Sequence, residues 1–250
     1  MHGQETRTGG VKGTSATWSN GALIRLRQIT RTYQEGALEV LALRGVDLDI
    51  AEGEFTALAG PSGSGKTTLL NIIGVLDKPT SGRVEVAGTD ITRLDKGEAA
   101  DFRLDQVGFI FQAYNLVPVL TALENAEFTL LLRGVPTAER RATVTPLLER
   151  VGLAEMMDRK PHELSGGQQQ RVAVVRALAT SPALILADEP TANLDSETSG
   201  GLLDLMLELN QELRTTFLFS THDPAVIERA RRVVRLLDGR VDGSSPSTGS

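Results

Sequence analysis

The run GPSGSGKTT, Gly60 to Thr68, constrains the fold of this chain more than any other feature. It fits G-x-x-x-x-G-K-[ST] through Gly60, Gly65, Lys66 and Thr67. That pattern works as a loop between a strand and a helix, and the flanks supply both. Upstream, EFTALAG (Glu54 to Gly60) reads as a strand ending in a glycine turn. Downstream, KTTLLNIIGVL (Lys66 to Leu76) repeats its apolar residues at helical spacing. Glycines let the backbone curl so that successive N–H groups point inward at phosphate oxygens. The positive end of the following helix adds to the attraction. The loop predicts a nucleotide site built from Gly60, Pro61, Ser62, Gly63, Ser64, Gly65, Lys66, Thr67 and Thr68. Lys66 brings charge to the β- and γ-phosphates, and the Thr67 hydroxyl faces Mg²⁺.

The rest of the chain alternates strand and helix patterns. VGFIF (Val107 to Phe111), ALILAD (Ala183 to Asp188) and TTFLFST (Thr215 to Thr221) are short apolar runs, as expected of parallel strands buried on both faces. Helical patterns separate them, notably Gln168 to Ala179 and Ser199 to Leu213. The alternation predicts an α/β fold with a mostly parallel sheet, a P-loop NTPase core. Two regions break it. Residues ~22–51 and ~82–92 alternate with strand period and predict a small antiparallel β-subdomain. Residues ~113–163 hold Pro118, Pro136, Pro146 and Pro161 between helical pieces and predict an inserted α-helical subdomain. Residues 1–20 and 243–250 have the composition of disordered tails, leaving 21–242 as the nucleotide-binding domain.

A bound Mg²⁺ requires a second acidic element. ALILADE places Asp188 and Glu189 at the C-terminal end of an apolar strand, where open α/β sheets bind ligands. Adjacent acids after a strand can also merely cap a loop. Beside a phosphate loop the pair predicts Asp188 as metal partner, through water, and Glu189 as the base for the attacking water.

Bulk properties exclude several functions. A formal net charge of −6 gives no general attraction to nucleic acid or to an anionic leaflet, so no nucleic-acid partner is expected. The chain has no cysteine, which rules out disulfides and thiolate metal sites. The polar N-terminus lacks a signal-peptide core. The longest apolar runs fall far short of the ~20 residues that span a bilayer. A cytoplasmic location is therefore expected.

LSGGQQQRVAVVRAL, Leu164 to Leu178, resembles the signature motif of ABC ATPases, with Ser165, Gly166, Gly167 and Gln168 in place. It departs from the usual motif only at Val174 and Val175, where Ile and Ala are common. The two glycines leave backbone N–H groups free at a helix start, a second anion site. The resemblance implies that this site meets the γ-phosphate held by a partner's phosphate loop, in a homodimer closed on two ATP molecules. It further implies that Tyr33 (RTYQEG) stacks on adenine and that Gln112 (FIFQ) reaches Mg²⁺ and the attacking water. Asp195 (ANLD) would cross the dimer interface, and His222 (FSTHD) would touch the γ-phosphate. Alone, a tyrosine or a histidine is more often structural.

NIIGVLDKPTSGRVEVAGTDIT, FIFQAYNLVPVLTALENAEFTLLLRGV and EVLALRGVDLDI resemble the ATPases of lipoprotein-release and macrolide-export systems. In the last segment a short insertion is expected to separate Tyr33 from the next strand. The resemblance implies an ATPase that powers an integral membrane permease from the inner face of the cell membrane. Two other readings stand beside it. One is a regulatory ATPase acting through a membrane partner without transport, as in cell-division complexes. The other is a DNA-repair type ATPase, which would carry the coiled coils or zinc modules this sequence lacks. The apolar stretch after Gln112 (Leu116, Val117, Val119, Leu120, Leu123) is expected to form an exposed groove for a permease helix, or else to pack within the helical insertion.

Overall fold

The computed structural model describes residues 21–36 and 38–242, so the expected tails lie outside the described residues. Elements are numbered in chain order. The N-terminal sheet holds four antiparallel strands in the order β2-β1-β4-β5: β1 (Ala22–Glu35), β2 (Leu38–Ala51), β4 (Ser81–Val86) and β5 (Thr89–Asp90). Strands β1 and β2 form one long hairpin with several register shifts, in which Tyr33 pairs with Val40. The expected insertion after Tyr33 is therefore paired strand, because that segment continues the ladder.

The second sheet has six strands in the order β10-β9-β3-β8-β7-β6. Strands β3 (Phe55–Ala59), β6 (Val107–Phe111), β7 (Leu184–Asp188), β8 (Thr216–Thr221) and β9 (Arg232–Leu237) run parallel, and β10 (Arg240–Asp242) returns antiparallel. The central strands are buried on both faces, as their unbroken apolar runs require. Alternation then splits their side chains between two cores. Leu58, Leu184, Leu186 and Leu218 join α1 (Lys66–Ile73) and the antiparallel sheet. Phe55, Ile185, Phe217 and Phe219 join α6 (Gly166–Leu178) and α7 (Ser196–Leu213) on the other face. Helix α2 (Lys96–Gln106) leads into β6, and α8 (Pro224–Arg229) into β9.

Helices α3 (Ala122–Ala126), α4 (Phe128–Leu132) and α5 (Thr137–Arg150) lie between β6 and α6 and build a third core with it. Leu116 and Leu123 pack against that core, the second of the two arrangements expected for this stretch. Asn125 is the physical reason. Fully buried, it donates to the carbonyls of Val117, Leu120 and Thr121 and accepts from the Val117 N–H. The segment is thereby folded onto α3, and Val119 stays 73% exposed.

Candidate active site

Strand register gathers the chemistry at one sheet edge. Ala59 aligns with Thr221, Asp188 with Ser220, and Phe111 with Asp188. The residues that follow these strand ends (Gly60, Glu189, Gln112 and His222) therefore leave the sheet side by side, at its C-terminal edge. That is where parallel sheets bind ligands.

The loop between β3 and α1 is a tight cradle. A Cβ on Gly60 would stand 2.2 Å from the Leu236 carbonyl oxygen, so no side chain fits. Gly65 adopts φ 102° and would meet the Ala42 carbonyl oxygen at 2.7 Å. Lys66 is buried, and its Nζ donates to the carbonyls of Gly60 (2.7 Å) and Pro61 (3.0 Å). The buried Ser64 hydroxyl has no partner. A buried cation held only by neutral carbonyls and an orphan hydroxyl in a side-chain-free cradle fit a phosphate group. Pro61, Ser62 and Gly63 are exposed, while Thr68 is half-buried in the first turn of α1.

Thr67 Oγ1 lies 3.4 Å from both carboxylate oxygens of Asp188. This set of hard oxygen donors fits Mg²⁺. Glu189 turns the chain out of β7 at φ 46°, in the left-handed region, and its N–H donates to the Ser220 carbonyl. Its Oε1 lies 2.6 Å from His222 Nδ1, and its Oε2 accepts from the Thr221 hydroxyl at 3.2 Å. Gln112 is exposed just past β6, with its carbonyl accepting from Asn193 Nδ2 at 2.9 Å. Glu189, His222, Gln112, Asp188 and the phosphate loop are thus brought to one edge.

Ser165, Gly166, Gly167, Gln168 and Asp195 form a second group. Ser165 caps α6, accepting from the Gln168 N–H, while Gln168 Oε1 accepts from the Ser165 N–H. The helix therefore begins at Gly166, earlier than the expected Gln168, because the capping box pulls the glycines into the first turn. A Cβ on Gly167 would stand 2.4 Å from Thr198 Cγ2. Asp195 caps α7, accepting from the Thr198 N–H (2.9 Å) and hydroxyl (2.7 Å), and these bonds hold its carboxyl below the usual range.

Tyr33 stands apart from both groups. Its hydroxyl donates to Asp77 at 2.8 Å, and the Arg31 guanidinium lies 4.5 Å from its ring centroid. Arg31 also pairs with Asp77 at 2.8 Å. Sequence reasoning passed over Arg31, Asp77 and Thr221. Only Thr221 had a signal, its place beside His222.

The model of the ABC transporter family matches residues 43–192. The chain belongs to this family. As an ABC ATPase it binds and hydrolyses ATP. It is 46% identical over 224 residues to the lipoprotein-releasing system ATP-binding protein LolD of Anaeromyxobacter dehalogenans, covering 89% of this chain and 94% of that protein. It is 48% identical over 219 residues to the macrolide export ATP-binding/permease protein MacB of Marinobacter nauticus. That match covers 88% of this ABC ATPase but only 34% of MacB, so the chain spans about a third of that relative. The ATP-binding cassette MJ0796 of Methanocaldococcus jannaschii, solved as a dimer after hydrolysis with ADP and Pi, superposes with a TM-score of 0.83 at 44% identity. The superposition covers 91% of this chain and all of that one. Among the described residues no helix is long and apolar enough to cross a membrane.

Proposed function

We propose that this ABC ATPase powers a membrane permease of the lipoprotein-release or macrolide-export type. In this reading residues 21–242 are one nucleotide-binding domain with a helical insertion at about 113–163, and the chain works at the inner face of the cell membrane. The observation that carries the chemistry is the Glu189–His222 contact of 2.6 Å beside the phosphate loop. Lys66 and the loop N–H groups hold the ATP phosphates, and Tyr33 stacks on adenine. Thr67, Asp188 and Gln112 hold Mg²⁺, which neutralises charge on the phosphates. Glu189 takes the proton of the attacking water, and His222 donates toward the γ-phosphate. Ser165, Gly166, Gly167, Gln168 and Asp195 serve the nucleotide of the second copy in a homodimer.

The relatives LolD and MacB support the export reading, and so does one surface. An apolar cleft between α2, β6 and α4 is lined by Leu76, Phe109, Phe111, Phe128, Leu132 and Arg176. Leu76 and Leu132 are exposed there. The cleft opens beside the loop carrying Gln112 and suits a short helix of a permease. Purification of the tagged chain from native membranes tests this. A co-purifying multi-spanning permease that stimulates ATP turnover supports it. A chain that is fully active and never associated with membranes contradicts it.

A further inference from the structure

Both oxygens of the Glu189 carboxylate are engaged, by groups of opposite exposure. His222, on Oε1, has a side chain 73% exposed. Thr221, on Oε2, is fully buried at the end of β8. The Thr221 hydroxyl accepts from the Asp223 N–H at 2.9 Å. Its one proton is donated to Glu189. Asp223 is held in turn: its carboxylate accepts from the Ala225 N–H at 2.9 Å, as the cap of α8, and from the buried Thr191 hydroxyl at 2.7 Å. Thr191 lies in the loop that leads from β7 to Asp195. The anchor of Glu189 is thus a chain of hydrogen bonds, Glu189–Thr221–Asp223–Thr191, tied into two buried positions. Glu189 itself sits at φ 46°, a backbone conformation that L residues adopt at a cost.

We propose that Thr221 is the positioning residue of the base. It keeps Glu189 in place when His222 is drawn to the nucleotide, so that Oε1 is the oxygen freed to accept the proton of water. The inference rests on the reading of Glu189 as base and goes beyond it in naming the fixed anchor, the released partner and the accepting oxygen.

Steady-state ATP hydrolysis by the full chain, with Thr221→Val, Thr221→Ser and Glu189→Gln measured in parallel, tests it. Thr221→Val keeps the shape and deletes the hydroxyl. It is expected to lower kcat by ~10-fold or more, with KM for ATP within about twofold, the signature of a contribution made only in the transition state. Thr221→Ser, which keeps the donor, is expected to stay within about threefold of wild type, and it serves as the readout if the valine variant folds poorly. Adding Thr221→Val to Glu189→Gln is expected to cost nothing further, because the anchored group is already gone. If Glu189→Gln abolishes turnover while Thr221→Val keeps the wild-type kcat, the anchor is overturned and the base stands. A loss that serine does not rescue, or one confined to KM, also overturns the anchor. If Glu189→Gln itself retains turnover, base and anchor fall together.

Discussion

Thr67 Oγ1 and the Asp188 carboxylate face each other across the sheet edge, with both oxygens of Asp188 at 3.4 Å from the hydroxyl. Two hard donors at that separation leave an ion to complete the site. Thr67→Ala or Asp188→Asn is therefore expected to raise the Mg²⁺ concentration for half-maximal ATP hydrolysis by ~10–100-fold, the usual scale for loss of a metal-orienting group. Titration of turnover with Mg²⁺ at saturating ATP checks it. An unchanged midpoint in both variants would remove these residues from the metal site.

The proposed roles of the two groups of residues separate binding from assembly. Lys66→Ala removes a charge-assisted contact worth ~1.5–3 kcal/mol, so MgATP affinity should fall by more than tenfold in equilibrium binding. Ser165→Arg should leave monomer affinity intact and block ATP-driven dimerisation in light scattering, because bulk and charge enter the second anion site. A Ser165→Arg protein that dimerises and hydrolyses ATP normally would contradict the cross-dimer role.

Gly167 is confined by one methyl group, Thr198 Cγ2, 2.4 Å from where its Cβ would stand. Gly167→Ala should destabilise the protein by ~1–3 kcal/mol through overpacking. Thr198→Ser deletes that methyl and keeps the hydroxyl that Asp195 accepts from. Thermal unfolding of the double variant should recover most of the loss. No recovery would place the constraint on Gly167 elsewhere.

Much of this site is legible in the chain because it is short-range. A phosphate loop, an acidic pair and a histidine each follow a strand, and parallel register carries them to one edge. What was not legible depends on contacts between distant segments. The helix expected to reach Leu76 stops at Ile73, because Gly74 caps it and Val75 turns to φ 59°. The facing of Leu116 to Leu123 is set by the bonds of Asn125, which no periodicity reveals. Arg31 lies on the Tyr33 ring because a bulged hairpin places them together.

That facing sorts two substitutions. Leu116→Asp drives a charge against the core of the helical insertion and should destabilise the fold. Val119→Asp changes an exposed side chain and should alter stability by no more than ~0.5 kcal/mol. Val119 lies outside the cleft lined by Leu76 and Leu132, so the variant's ATP turnover should also stay near wild type. Equal destabilisation of both variants in denaturant unfolding would contradict this assignment of faces.

The central claim, that Glu189 is the base of an ATP-closed dimer, is tested most directly by Glu189→Gln. Turnover and oligomeric state are followed in the same sample after addition of MgATP. ATP should still bind, turnover should fall by ~10²-fold or more, and the protein should accumulate as an ATP-bound dimer. Near-wild-type turnover, or a protein that stays monomeric with ATP bound, would contradict it.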